Sequence, residues 1–168
     1  MWSWIWLSVV GLLVVALGLW VTLVVSMRTK YSPALNAIRR MNRRFANPLV
    51  LRTAGKPGAS ASVIRHVGRS TGTPYQTPIA VIETEDGFVI VLPYGTSPDW
   101  VKNVQAAGSA AIDSEGRTYA VTDPQVLGAA DVERYLSGKD RRAQRIYGID
   151  TFLRLKHNDA DLLAGDHR

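Results

Sequence analysis

Cysteine is absent from the 168 residues. That excludes disulfides, thiolate metal sites and a cysteine nucleophile. Acidic side chains are missing from the first 82 residues; the first is Glu83. Residues 1–82 hold ten Lys and Arg with no acid, and residues 83–168 hold ten against fourteen Asp and Glu. The net charge of +6 therefore divides into +10 and −4. Such a split implies that the first half faces something anionic: phospholipid headgroups, a phosphorylated cofactor or nucleic acid.

Charge of either sign is missing from residues 1–27, and Val9 to Val25 is almost wholly apolar. A membrane-spanning helix needs about 20 apolar residues. Trp2, Trp4, Trp6 and Trp20 lie towards the ends of the run, where amphipathic rings favour the lipid–water boundary. A cleaved signal peptide would need a basic start and a small-residue cleavage site. No Lys or Arg precedes Arg28, and Val24-Val25-Ser26-Met27 is a poor site for cleavage. Residues 1–27 read as an uncleaved single-pass anchor. Arg28, Lys30, Arg39, Arg40, Arg43 and Arg44 follow it, which puts the rest of the chain on the cytoplasmic side.

Residues 28–46 read as a basic amphipathic segment. Its helix, Ser32 to Ala46, has Leu35, Ile38, Met41 and Phe45 on one face and the four arginines on the other. It suits either packing against the domain or lying on an anionic leaflet. Asn47-Pro48 is expected to end it. Residues 47–157 read as one domain, and 158–168 as a frayed polar tail. Strands are expected at "LVLRT", Ser62–Val67, Thr77–Thr84, Gly87–Pro93, Ala110–Asp113 and Gly116–Thr122, with a tight turn at Glu85-Asp86-Gly87. Ser97–Gly108 reads as a helix capped by Ser97. The patterns after Asp123-Pro124, including "KDRRAQRIYGIDTFLRLKH", read as helical. Closely spaced strands joined by short turns imply an α+β domain, a small antiparallel barrel with flanking helices.

Two stretches suggest chemistry. "HVGRSTGTPYQTP" places Arg69, Ser70, Thr71 and Thr73 between Gly68 and Gly72. It can be a hairpin turn held by its own hydroxyls. It can also be an anion site, with the Arg69 fork and hydroxyl donors matched to phosphate. "VLPYGTSPDWVKNV" runs from a strand into a helix whose first N–H groups favour an acceptor. There Trp100 can be core or wall, and Asn103 can make a buried polar bond or touch a ligand. His66 reads as a strand residue, because no carboxylate is placed to orient it.

Together, "GRSTGTPYQTPI … VLPYGTSPDWVKNVQAAG … GRTYAVTDP" resembles the deazaflavin-dependent nitroreductase family, relatives of the flavin-mononucleotide-binding split barrels. The resemblance spans Asn47 to about Pro124. It implies a split β-barrel that binds an 8-hydroxy-5-deazaflavin coenzyme, with FMN as the alternative cofactor. By carry-over, Arg69, Ser70, Thr71 and Gly72 hold the phosphate region, beside Gly68. Tyr75, Gln76, Thr77 and Pro78 follow along the next strand. Pro93, Tyr94, Gly95 and Thr96 line the ring, and Trp100 and Asn103 complete the pocket. Lys56 and Arg65 are candidates for the anionic tail. Tyr94, and after it Tyr147, are the candidate proton donors. The short acidic loop Thr96-Ser97-Pro98-Asp99 departs from the longer lysine-containing loop of many members.

The implied activity is hydride transfer to a quinone-like or nitro-aromatic acceptor, with menaquinone-type quinones first because of the anchor. A non-catalytic carrier of deazaflavin or FMN is the alternative. A homodimer is compatible with the fold. Nucleic acid is not expected as a partner, because no basic surface interleaved with aromatics appears.

Overall fold

The computed structural model describes residues 2–29 and 32–158. Of the expected tail, only Asn158 lies among the described residues.

The uncharged run forms one helix, α1 (Trp2–Arg28). Its segment Ile5–Arg28 has a mean hydropathy of 2.6 in its most apolar window, none of it buried, which is long and apolar enough to cross a membrane. Its final turn docks on the domain. Ser26 and Met27 are buried, as is Leu35 of α2 (Ser32–Met41). Arg28 Nη1 donates to the carbonyls of Arg145 (2.9 Å) and Ile146 (3.2 Å). These belong to the last turn of α6 (Gly138–Tyr147), which follows the one-turn helix α5 (Ala129–Val132), and there a cation meets the negative end of the helix dipole.

The helix begun by α2 does not stop at Asn47-Pro48. A π-helical turn, Asn42–Ala46, joins it directly to α3 (Asn47–Val50). Proline has no N–H for the helical ladder. The widened turn shifts the ladder just before Pro48, and the path continues. "LVLRT" is therefore no strand: Leu49 and Val50 are helical and Leu51 to Thr53 form turns. The apolar stripe also divides. Leu35 is buried and Ile38 half-buried, whereas Met41 and Phe45 are 57% and 62% exposed.

Seven strands make one antiparallel sheet. They are β1 (Ser62–Val67), β2 (Pro74–Ile79), β3 (Val81–Thr84), β4 (Gly87–Val91), β5 (Ser109–Ser114), β6 (Arg117–Gly128) and β7 (Thr151–His157). The order across the sheet is β2-β1-β5-β6-β7-β4-β3. The expected strand Thr77–Thr84 is thus two strands at opposite edges, separated by Ala80 alone. One residue cannot span a flat seven-stranded sheet, so the sheet curls until its edges meet. This curled, half-barrel sheet is the small antiparallel barrel that the strand spacing implied.

Two expectations about the C-terminal part are corrected. β6 does not end at Thr122 but continues to Gly128 through a bulge, with its register shifting between Thr122 and Gln125. Asp123 sits there at φ 56°, and Pro124 costs no ladder bond because the bulge leaves it unpaired. Residues 151–157 are strand, not helix. β7 pairs with both β4 and β6. Leu153 and Leu155 point into one apolar cluster with Ile64, Phe88, Ile90 and Val104, and Phe152 into a second with Val89, Val132 and Ile149. Leu153-Arg154-Leu155-Lys156 does alternate, but Phe152 beside Leu153 interrupts the pattern, and the segment follows a helical pattern closely after Gly148.

The hairpin β3–β4 turns where "EDG" suggested. Gly87 has φ +154°, and an added Cβ would lie 2.0 Å from the Leu155 carbonyl oxygen. Gly87→Ala should lower the thermal midpoint of the detergent-solubilised chain, read by circular dichroism, by at least about 6 °C.

Candidate functional site

The loop Gly68–Thr73 is closed by its own backbone. Gly68 N–H donates to Thr73 O (2.8 Å) and Gly72 N–H to Gly68 O (2.7 Å). A Cβ on Gly68 would meet Thr71 Oγ1 at 2.8 Å and the Tyr75 ring at 3.1 Å, so a side chain there would have to displace both. Thr71 Oγ1 accepts from Thr73 N–H (3.3 Å), as a hairpin turn would have it. Among the described residues, the backbone N–H groups of Ser70 and Thr71 have no protein acceptor.

A buried side chain ties this loop to α4 (Asp99–Ala107). Asn103, 5% exposed, accepts at Oδ1 from the Arg69 backbone N–H (3.2 Å) and from Arg69 Nη1 (3.0 Å). With its oxygen so used, its amide N–H₂ faces His66 Nδ1 at 3.3 Å. His66 Nδ1 must then accept, which leaves its proton on Nε2, directed to Thr77 Oγ1 at 3.3 Å. Burial holds the His66 imidazole below its ordinary pKa of 6.5, so it is neutral. Tyr75 stacks on it, with centroids 5.7 Å apart. Arg69 also pairs with Asp99, Nη2 to Oδ1 at 3.2 Å, in an exposed contact of little energetic weight.

Beside this junction lies an open cleft of about 790 Å³. Of the residues singled out in the sequence, Gly68, Arg69, Ser70, Thr71, Tyr75, Gln76, Thr77, Pro78, Tyr94, Trp100 and Asn103 line it. Trp100 serves both ways, lining the cleft and packing on the main core. Gly72, Pro93, Gly95 and Thr96 do not line it. The last three shape the turn that presents Tyr94, closed by Gly95 N–H on Leu92 O (3.0 Å).

Three other candidates stand elsewhere. Arg65 Nη2 is paired with Asp113 Oδ1 (2.5 Å) and Thr118 (3.0 Å). Lys56 sits in an exposed loop away from the cleft. Tyr147 ends α6 and packs on the second apolar cluster.

Sequence reading missed one whole wall. Asn36, Arg39, Arg40, Asn42, Arg43 and Asn47 line the cleft from the helical path α2–α3. Arg39 Nη1 donates to Ser97 Oγ (2.8 Å) and Arg39 Nη2 to Asn36 Oδ1 (2.8 Å). Ser97 is thus a clasp for this wall and not a helix cap; the residue before α4 is Pro98. Asn42 Nδ2 donates to Tyr94 Oη (3.2 Å). Burial raises the Tyr94 pKa above its ordinary value of 10.0, so the phenol keeps its proton. The signal for this wall was present as the arginine cluster, which reads equally well as a membrane-facing surface. A second cleft of about 750 Å³, lined by Asp131, Arg134, Tyr135, Arg141 and Arg154 among others, contains none of the predicted site residues.

The F420H(2)-dependent quinone reductase family model matches residues 37–148, which include every cleft-lining residue but Asn36. The chain belongs to this family. Membership makes it an oxidoreductase of the kind that depends on a reduced deazaflavin, F420, and gives no support to the FMN alternative. No curated protein sequence matches the chain. Among solved structures, an F420-H2 dependent reductase is similar at 16% identity and TM-score 0.41, over 56% of this chain and 92% of that one. A domain-swapped dimer is similar at 16% and 0.42, over 73% and 98%. HutZ, a heme storage protein from Vibrio cholerae, is similar at 11% and 0.44, over 59% and 82%. At such values these likenesses carry no functional weight.

The cleft fits what the quinone reductase family implies. Its volume lies in the range of small-molecule sites. Arg39, Arg40, Arg43 and Arg69 face it against one carboxylate, Asp99. Hydroxyls and two adjacent backbone N–H groups add neutral donors, the set that a phosphate takes. Trp100, Tyr75, Tyr94 and Pro78 add flat walls for a fused ring.

His66 carries a pH signature. Its depressed pKa means that the unfolded chain binds the extra proton below about pH 6.5, so stability rises with pH through that region and falls on acidification. The thermal midpoint should drop between pH 7.5 and 5.5. In His66→Gln, which keeps hydrogen-bonding groups near Asn103 and Thr77 but cannot titrate, that drop should shrink.

Proposed function

We propose that this chain is a membrane-anchored reductase that draws on reduced F420 to reduce a quinone-like acceptor at the cleft between α2 and the Gly68–Thr73 loop. The observation that carries the reading is the cleft itself: four arginines and an N–H pair beside aromatic walls, on a fixed scaffold. A residue-level assignment follows. Arg69, Ser70 and Thr71 hold the phosphate. Arg39, Arg40 and Arg43 face the rest of the anionic chain, which compensates for the short acidic loop at Asp99. Asn103 fixes the direction of the Arg69 guanidinium. Asp99 holds Arg69 until a stronger anion takes its place.

When bound, the reduced coenzyme supplies the hydride. The protein supplies orientation and a proton. Reduction of a quinone to its quinol needs one proton beside the hydride, and Tyr94 keeps one at Oη in a half-buried position. Because Asn42 already donates to that oxygen, the phenolic proton is free to point into the cleft. The anchor reading of α1 rests on its length, its hydropathy and its exposure. The basic residues that follow support a cytoplasmic domain, and an acceptor dissolved in the bilayer fits that arrangement. Nitro-aromatic compounds are expected as lesser acceptors.

Two measurements test this on the full chain in detergent. Oxidised F420 and FMN are titrated by fluorescence. F420 should bind more tightly than FMN, and Arg69→Ala should weaken it by about 1.5–3 kcal/mol, roughly 10- to 150-fold. Equal, weak binding of both would sink the cofactor assignment. With a menaquinone analogue, Tyr94→Phe should lower kcat about 100-fold while leaving F420 affinity nearly unchanged. An unaltered kcat would remove Tyr94 as the proton donor.

A further inference from the structure

The helical path that walls the cleft has an opposite side. Met41, Phe45 and Leu49 recur every four residues along it and are 57%, 62% and 60% exposed; Val50 beside Leu49 is 38% exposed. Inward-facing positions alternate with them: Asn42 bonds Tyr94, and Ala46 and Asn47 are half-buried. Single exposed apolar residues are ordinary on protein surfaces, but a continuous ridge of large ones requires a covering partner. Arg44 flanks the ridge, its guanidinium 5.7 Å from the Phe45 ring centroid. Arg40 and Arg43 are exposed on the same path.

We propose that this ridge is inserted in the bilayer that holds α1, with the flanking arginines at the level of anionic headgroups. The inference rests on the anchor reading of α1 and extends it to a second membrane contact. Two features select lipid as the occupant. The ridge is continuous with α1 through a docked joint: Met27 and Leu35 are buried and Arg28 is bonded to the end of α6, so the domain cannot tumble freely beneath its anchor. The surface also has the composition of an interfacial helix, large apolar side chains bordered by arginine with no acid on the path. Anionic lipid supplies the acidic partner that Arg44 lacks among the described residues. The consequence for function is one of access. Arg40 and Arg43 belong to both the cleft lining and this helix. The cleft mouth then borders the membrane surface, and a lipid-soluble acceptor reaches it from the bilayer without crossing water.

The absence of cysteine makes the test direct. Single cysteines are introduced by Phe45→Cys, Leu49→Cys, Leu13→Cys in α1 and Glu115→Cys in the exposed β5–β6 turn. Each full-length variant is nitroxide-labelled and reconstituted in vesicles of phosphatidylcholine and phosphatidylglycerol. Collision with oxygen, which partitions into lipid, is compared with collision with a water-soluble nickel chelate. Labels at 45 and 49 should resemble the label at 13, oxygen-rich and nickel-poor, and differ from the label at 115. Nickel access at 45 and 49 equal to that at 115, with 13 still in lipid, overturns the ridge and leaves the anchor standing. Nickel access at 13 overturns the anchor, and the ridge with it. Labels at 45 and 49 shielded from both reagents and broadened by spin–spin coupling would mean that a second copy covers the ridge, which also overturns the proposal.

Discussion

Ala80 joins the two edge strands of a seven-stranded sheet. One residue reaches only about 3.3–3.6 Å, so the sheet must curl for β2 and β3 to be consecutive in the chain. The chain passes from one edge to the other there, and Ala80 O accepts from Val91 N–H at 3.3 Å, which extends the β3–β4 ladder by one residue. The curl brings the two edge strands together at Ala80 without pairing them, so the sheet stays a half-barrel. It also decides the site. Residues 75–78 from β2 and Tyr94, Ser97 to Trp100 and Asn103 from the segment after β4 would lie at opposite margins of a flat sheet. In the curled one they line a single cleft.

Within that frame, the cleft depends on one buried amide. Asn103 spends both ends of its side chain, the oxygen on Arg69 and the nitrogen on His66. Every buried side-chain polar atom among the described residues has a partner. The result is a rigid inner corner at the Gly68–Thr73 loop, whereas the opposite wall, α2 to α3, is clasped by polar contacts of Arg39 and Asn42. Positive charge is concentrated on the wall nearest α1. Electrostatics and topology thus set the basic face of the cleft on the helical path that follows the apolar helix.

The glycine loop and the Trp100–Asn103 spacing were legible in the sequence, because each depends on local chemistry, turn residues and helix punctuation; Tyr94 came with the family resemblance. The strands that failed to read failed for a physical reason. β7 alternates only over Leu153-Arg154-Leu155-Lys156, with Phe152 beside Leu153 interrupting the pattern, and it follows a helix after a glycine, which mimics a helical break. β6 carries a bulge at Asp123-Pro124 that looks like a terminus. Lys56, Arg65 and Tyr147 could not be placed because their distance from the cleft is set by strand pairing and by α6.

The sequence by itself determined the uncharged helix, the charge asymmetry, the antiparallel strand content and the loop that resembles a deazaflavin site. These follow from composition and short-range spacing. Only the tertiary structure decided which residues meet. The split of one apparent strand at Ala80 is invisible locally, since both halves carry the same pattern. The amphipathic stripe of α2 likewise gives no sign that Leu35 turns inward while Met41 and Phe45 turn out. That division comes from the π-helical turn and from the domain surface on which the helix rests, and both are properties of the packed whole.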